Sequence, residues 1–143
     1  MREILFRGKR CDNGEWVQGF YVRADHHWHK NGIHKDWIAL GASANGGWFA
    51  LHNKYAVKAE TVGQFTGLTD KNGKKIFEGD IVLYPWNDQD KPERFTIKFK
   101  DGQFVASPVK ETEDYWDFMV GGYSKEMEII GNIHDNPELL ENP

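Results

Sequence analysis

Apolar and polar residues alternate over short stretches of this chain, and turn-forming pairs separate the stretches. In residues 94–100, Phe95, Ile97 and Phe99 fall on one face, and polar residues fall on the other. A period of two residues is typical of a half-buried antiparallel strand. Asn-Gly, Asp-Gly and Gly-Gly pairs between the stretches favour tight turns. The pattern therefore predicts an all-β protein with strands at 3–7, 15–23, 36–41, 48–51, 62–66, 75–84, 93–100, 103–107 and 127–133.

An internal similarity and the distribution of charge both divide the chain near residue 60. The motif F-x-G-x4-N-G-x-x-[VI] begins at Phe6 and again at Phe65. It arises either from a duplication or because Asn-Gly hairpins resemble one another. Residues 1–60 carry nine Lys or Arg against six Asp or Glu, whereas residues 61–143 carry nine against sixteen. We therefore predict two β lobes, residues 1–60 and 61–143, within a single compact unit.

Helical signals are confined to two places. Near the C-terminus, Asn136 is placed as an N-cap and Pro137 as the first helical residue, which predicts one or two helical turns. Residues 111–122 have two interpretations. They form either a helix ended by Gly121 or Gly122, or a loop that carries aromatic anchors.

Composition limits the classes to which the protein can belong. Cys11 is the only cysteine of the 143 residues, so no intramolecular disulfide can form and a reducing compartment is expected. The N-terminus lacks the apolar region of a signal peptide, and no window approaches the roughly 18 apolar residues of a membrane span. The net charge is -4, and from Glu111 onward Lys125 is the only Lys or Arg beside nine Asp or Glu. This disfavours a broad phosphate-binding surface in that region and leaves a local basic patch elsewhere possible. We therefore expect a cytoplasmic protein that does not bind membranes.

The segment 67–82, GLTDKNGKKIFEGDIV, is close to three known patterns. With Gly73 at the sixth position of a calcium loop, Leu68 and Gly79 occupy the first and twelfth, where oxygen ligands are required. A phosphate loop has four residues between its glycines and a hydroxyl residue after its lysine, and this segment has neither. A β-hairpin fits at every position. The segment is therefore predicted to be a hairpin.

Two carboxylates in this hairpin have the spacing of a catalytic pair. On a strand, Glu78 and Asp80 would share one face and could bind a cation or act as acid and base. In the structural interpretation, Gly79 instead marks a bulge or bend and Asp80 accepts a hydrogen bond from a turn amide. The structural interpretation is favoured.

Four histidines lie within residues 25–34. Asp25, His27 and His29 would line one face of a strand, and His34 would return across an Asn-Gly turn. Imidazole and carboxylate at this spacing could bind Zn²⁺ or Ni²⁺. An exposed polar hairpin tip is the simpler interpretation. We therefore assign no metal ligand and no cofactor.

No nucleophile is predicted either. The segment 41–46, GASANG, approaches the G-x-S-x-G motif, but Asn45 replaces the second glycine and no helix follows. Cys11 lies next to Asp12, whose charge would raise the pKa of the thiol and reduce its reactivity. No catalytic residue is therefore assigned.

Aromatic residues are abundant, at 14% of the chain with six tryptophans. Five of the tryptophans lie near predicted turns, where a binding surface could form. Small β proteins also fill their cores and seal their ends with aromatic side chains, which is the alternative. These five are Trp28, Trp37, Trp48, Trp86 and Trp116.

Three blocks of sequence together resemble the YopX family of phage and prophage proteins. They are REILFRGKRCDNGEWVQGFYV (2–22), TVGQFTGLTDKNGKKIFEGDIV (61–82) and EIIGNIHDNPELL (128–140). The resemblance implies an all-β fold related to SH3-like barrels, with the barrel in residues 61–143, encoded by a phage or prophage and working in the bacterial host cytoplasm. It carries over no catalytic residues. The matching residues serve turns and strand geometry: Gly63, Gly67, Asp70, Asn72, Gly73, Glu78, Gly79 and Asp80.

Three functions are consistent with these features. We expect a non-enzymatic module that forms a homo-oligomer and binds a host or phage macromolecule through loops or a strand edge. The alternative is a nucleic-acid-binding accessory protein, which the acidic balance disfavours; its single-strand contacts would come from Lys71, Lys74, Lys75, Lys98 and Lys100. A metal-dependent enzyme, built on the histidine segment or on Glu78 and Asp80, is the third.

Overall fold

The protein forms two compact units, Met1–Gln64 and Phe65–Pro143, in a computed structural model that describes residues 2–24, 35–86, 91–110 and 116–141. The strands belong to two antiparallel sheets, so the predicted all-β class is confirmed. The described strands are β1 (Phe6–Lys9), β2 (Trp16–Arg23), β3 (Asp36–Asn45), β4 (Trp48–Ala56), β5 (Gly63–Thr69), β6 (Lys75–Phe77), β7 (Asp80–Tyr84), β8 (Glu93–Lys100), β9 (Gln103–Pro108), β10 (Phe118–Met119) and β11 (Glu128–Asn132).

The first unit is an antiparallel meander of β1, β2, β3 and β4, in which each strand pairs with the next. The first two residues of β5 pair with the outer side of β1. Ile38 and Ala39 of β3 are fully buried. β2 approaches β3 closely at Gly19, where a Cβ would overlap the carbonyl oxygen of Ala39. This close approach requires glycine at that position.

β3 and β4 are longer than the alternation predicts. They continue to a two-residue turn at Gly46 and Gly47, both of which have positive φ. Residues 41–44 of β3 are all small, so this part of the strand lacks the alternation of large apolar and polar side chains from which strands are predicted. Cross-strand pairing with β4 extends the strand in spite of this.

The second unit contains the β5–β6 hairpin and a five-stranded sheet of order β10-β9-β8-β7-β11. Its hydrophobic core includes Ile76, Val82, Phe95, Ile97 and Met127. β10 and β11 lie at opposite edges of this sheet, so the described strands do not close into a barrel. The SH3-like barrel implied by the family resemblance therefore stays a prediction, as does the lobe boundary at residue 60.

The strand predicted at 75–84 is two strands, β6 and β7, separated by a bend at Gly79 with φ of 88°. A helix over 111–122 is wrong for the described part of that segment, because residues 118–119 form β10 and a turn follows. β10 is held by pairing with β9, a contact that helix signals cannot anticipate.

The C-terminal helical turn is confirmed as the 3-10 helix Pro137–Leu140, with the proline at its start. The predicted capping bond is absent: the Asn136 side chain instead accepts the N–H of Asn132 at 3.2 Å. Of the described helices, none has the length and apolar character that a membrane-spanning helix needs.

Candidate functional site

The 67–82 hairpin is held by two carboxylates that are each 1% exposed, Asp70 and Asp80. One oxygen of Asp70 accepts the N–H groups of Asn72 and Lys74, both at 2.9 Å. Its other oxygen accepts the N–H of Ile129 in β11 at 3.0 Å. Asp70 therefore closes the turn and joins the hairpin to a strand 59 positions away.

The same three bonds control the ionisation of Asp70. Burial would by itself raise the pKa of this carboxyl group. The backbone N–H bonds from Ile129, Lys74 and Asn72, with the positive charge of Lys74, outweigh burial and hold the pKa below its ordinary value. Asp70 is consequently a carboxylate at neutral pH, and its bonds are of the stronger, charge-assisted kind.

Asp80 stabilises the bend at Gly79. Its carboxylate accepts the N–H of Phe77 at 2.7 Å, and the N–H of Gly79 donates to the carbonyl of Ile97 at 2.8 Å. The predicted hydrogen bond between Asp80 and a turn amide is therefore present. Asp80 is buried, and its carboxylate is bonded to the N–H of Phe77. Its role is therefore structural, and its carboxylate is not accessible as an acid–base partner of Glu78.

The histidine segment lies outside the described residues, with Asp25, His27, His29 and His34. The metal-binding hypothesis for these residues therefore stays a hypothesis. Within residues 2–24, 35–86, 91–110 and 116–141, no three His, Cys, Asp or Glu side chains are grouped to hold a metal ion.

The GASANG segment lies in β3 and the turn that follows it, so no strand-to-helix elbow surrounds Ser43. The Ser43 hydroxyl and Nε2 of His52 are 2.7 Å apart on the exposed surface, an ordinary cross-strand hydrogen bond. Cys11 is exposed. Its pKa is raised, first by partial burial and then by the charges of Glu60, Asp12 and Asp36, in agreement with the expected direction. A raised pKa disfavours the reactive thiolate.

Three of the five lysines proposed for nucleic-acid binding have partners within the second unit. Lys71 pairs with Glu128 at 3.2 Å, and Lys100 pairs with Asp117 at 2.9 Å. Lys75 lies 5.4 Å from the ring centroid of Phe65. Part of the positive charge is thus neutralised locally, which weakens its attraction for phosphate.

Three exposed side chains form what we call the aromatic patch: Trp116, Met119 and Tyr123, which are 68%, 56% and 44% exposed. Phe118 anchors this segment to the core, with its ring 5.3 Å from Tyr123 and 5.0 Å from Tyr84. Asp117 is the only charged residue between positions 116 and 123, and Lys100 neutralises it. The segment therefore presents three exposed apolar side chains with little net charge around them.

The other tryptophans are distributed between core and surface. Trp37 is buried, and Trp86 packs on Phe118 at 5.1 Å. Trp28 and the side chain of Trp48 lie outside the described part. The two sequence interpretations, core and surface, therefore apply to different residues.

A cleft of about 450 Å³ lies at one end of the five-stranded sheet, and we call it the basic cleft. β8 supplies Arg94, whose Nη2 donates to the carbonyl of Glu141 at 3.2 Å. The N–H of Val109 donates to the carbonyl of Arg94 at 3.0 Å, and this bond brings Lys110 to the cleft. No sequence signal predicted this site. It is lined by Leu83, Lys91, Pro92, Glu93, Arg94, Val109 and Lys110.

Comparison with known proteins agrees with the sequence blocks. The "SPbeta prophage-derived uncharacterized protein YopX" of Bacillus subtilis (strain 168) is 36% identical over 70 residues, which are 48% of this chain and 52% of that protein. The matched region thus spans about half of that relative. The crystal structure of protein EF1440 from Enterococcus faecalis covers 99% of this chain and 100% of its own, with 25% identity and a TM-score of 0.56. The family model described as YopX protein matches residues 5–141, and the chain therefore belongs to the YopX family.

Proposed function

We propose that this chain is a prophage or phage accessory protein of the host cytoplasm that acts without catalysis, as an interaction module that associates with a second copy of itself. The aromatic patch is the observation that carries this proposal. The relative of this chain from Bacillus subtilis is described as prophage-derived, which supports a phage or prophage origin for the chain. Five antiparallel strands around one core support an open relative of the SH3-like barrel for residues 65–143.

The composition of the aromatic patch is that of an interface centre. Interface cores are poor in charge and rich in aromatic residues and Met, and Trp and Tyr are frequent among the residues that dominate affinity. Trp116 and Tyr123 provide two such exposed rings, and they flank Met119 in the sequence. Packing of Phe118 against Tyr123 and Tyr84 holds this part of the segment in place, which limits the conformational entropy that binding would cost.

Of the β4, β10 and β11 edges, the β10 edge, which carries Met119 of the patch, is the one best suited to contact a second copy. β10 is an edge strand, and edges pair readily with a second strand. At the opposite edge, Asp70 already accepts the N–H of Ile129 in β11. In the first unit, the β4 edge carries an exposed lysine and Asn53 with φ of 50°, features that discourage strand addition.

A two-fold axis beside β10 would place the aromatic patch of one copy against that of the other. Such an interface uses the same surface twice, as in most homodimers. Because β10 has only two residues, side-chain packing rather than strand pairing would supply most of the affinity. The patch side chains are therefore the ones to test.

Sedimentation velocity over a concentration series tests the proposal with Trp116→Ala. We expect a wild-type dimer and a dissociation constant raised by about 30-fold or more in the variant, the size of a typical dominant interface residue. Phe20→Ala is the matched control, because Phe20 is 56% exposed in the first unit, away from the patch residues in the sequence. A wild-type monomer at the highest concentration, or equal weakening by both substitutions, would refute self-association through the patch.

Nucleic-acid binding has less support. The ion pairs of Lys71 and Lys100 engage two of its five proposed lysines. A metal-dependent enzyme would have to rely on His27, His29 and His34, which lie outside the described residues.

A further inference from the structure

We propose that the basic cleft binds an acidic segment of a partner protein, with carboxylates held by Lys91, Arg94 and Lys110 and an aliphatic side chain on its apolar wall. This site is separate from the aromatic patch, and the proposal does not depend on self-association. It rests on the charge, the lining and the geometry of the cleft.

The charge of the cleft is opposite to that of the surrounding sequence. Residues 61–143 have a net charge of -7, with nine basic and sixteen acidic residues. Three of those nine basic residues line this one cleft, together with a single carboxylate from Glu93. A cleft focuses the field of its charges, so it would attract an anion even though the chain is acidic.

Arg94 is positioned to bind a carboxylate. It lies opposite Leu83 in the register of β7 and β8, and strand partners project their side chains to the same face of a sheet. Its bond to the Glu141 carbonyl fixes the guanidinium through one of the five N–H donors of that group. A guanidinium held in this way matches the planar geometry of a carboxylate.

Lys91 and Lys110 flank Arg94 from opposite sides in the sequence. Lys91 lies two positions before the start of β8, and Lys110 follows Val109, which is bonded to Arg94 through the backbone. Both lysines are exposed. They add positive charge along the cleft rather than at one point, which suits an extended chain with more than one carboxylate.

The remaining lining favours a polypeptide over a nucleotide. The apolar wall consists of Leu83, Pro92 and Val109, and none of the lining residues is aromatic. Single-stranded nucleic acids are held largely by stacking of bases on aromatic rings, which this cleft cannot provide. Aliphatic contacts beside basic groups instead suit a segment that combines Asp or Glu with Leu, Ile or Val, and the volume is in the range of about 300–1,000 Å³ that accommodates compact ligands.

The test is fluorescence anisotropy with a fluorescein-labelled peptide of Glu, Asp and Leu residues, at about 50 mM salt, where charge contacts are strongest. The wild-type protein is compared with Lys91→Gln/Lys110→Gln. We expect the double variant to lose about tenfold in affinity, equivalent to about 1.4 kcal/mol. Lys74→Gln/Lys98→Gln is the matched control, because it removes the same charge from exposed lysines outside the cleft; we expect its affinity to stay within about twofold of wild type.

Three results would overturn the proposal. The first is that the wild-type protein fails to bind the acidic peptide, or binds the counterpart made of Gln, Asn and Leu equally well. The second is that both double variants lose the same affinity, which would show that the peptide responds to the net charge of the protein and not to the cleft. The third is that inorganic phosphate or a labelled thymidine oligonucleotide binds in the cleft while the peptide does not, which would assign the site to another class of ligand. A Trp116→Ala variant should bind the peptide with unchanged affinity, because the aromatic patch is not part of the cleft.

Discussion

Replacement of Asp70 by asparagine should destabilise the second unit far more than its small change in shape suggests. The native carboxylate is 1% exposed and accepts three backbone N–H bonds, from Asn72, Lys74 and Ile129. In Asp70→Asn, one oxygen can still accept the two turn bonds. The new NH₂ group would then face the N–H of Ile129, so that two donors meet where a donor met an acceptor.

The magnitude follows from these bonds. A hydrogen bond to a charged group contributes about 1.5–3 kcal/mol, and a buried donor left without a partner costs about 1–3 kcal/mol. Because the two turn bonds also change from charged to neutral, we expect a loss of about 3 kcal/mol in the free energy of unfolding. With a slope of about 1–3 kcal/mol per molar urea, the unfolding midpoint should fall by about 1–3 M.

Urea unfolding followed by circular dichroism measures this shift. Asp101→Asn is the matched control: Asp101 is exposed in the same unit, and its φ of 52° is one that asparagine readily adopts. We expect the midpoint of the control to equal that of the wild type. If Asp70→Asn moves the midpoint no further than Asp101→Asn, the carboxylate does not hold the hairpin as inferred.

Two further outcomes are expected. Because the pKa of Asp70 is lowered in the folded state, its contribution exists in full above the unfolded value of about 3.9 and is lost as pH falls through the folded value, so the midpoint difference between wild type and Asp70→Asn should be constant from about pH 7 to pH 5 and shrink as pH falls below about 3.9. A difference that does not shrink at all below about pH 3.9 would contradict this linkage. Gly19→Ala should lower the melting temperature by about 5–10 °C through overlap with the Ala39 carbonyl, whereas Gly41→Ala, where no atom lies within 4 Å of the added Cβ, should not. Equal melting temperatures for the two variants would show that β2 and β3 separate easily.

Local sequence was sufficient for most of the strands. β8 has the predicted bounds, because alternation of Phe95, Ile97 and Phe99 with polar residues is a property of consecutive positions. The turn in the 67–82 hairpin was likewise readable, since Gly73 has the positive φ that Asn-Gly turns favour. The full length of β3 and β4 was not readable, because their small and polar residues are held in strands by pairing with each other.

The candidate sites were predicted less completely. The excess of tryptophan left core and surface roles both open, and only packing decided that Trp37 is buried and that Trp116 is exposed. The basic cleft had no local signal at all. Lys91 and Lys110 are 19 positions apart in the sequence, and the β8–β9 pairing places them on one cleft.

By itself, the sequence determined the all-β class, the hairpin at 67–82, the helical turn at Pro137 and membership of the YopX family. Each depends on residues that are close in the chain: alternation selects strands, and Gly, Asn and Pro select turns because they restrict or extend the allowed φ. The tertiary structure alone decided which strand the 67–82 hairpin is bonded to and where binding surfaces form. Asp70 bonds to Ile129 59 positions later, and this contact exists only when strand pairing has brought the two segments together.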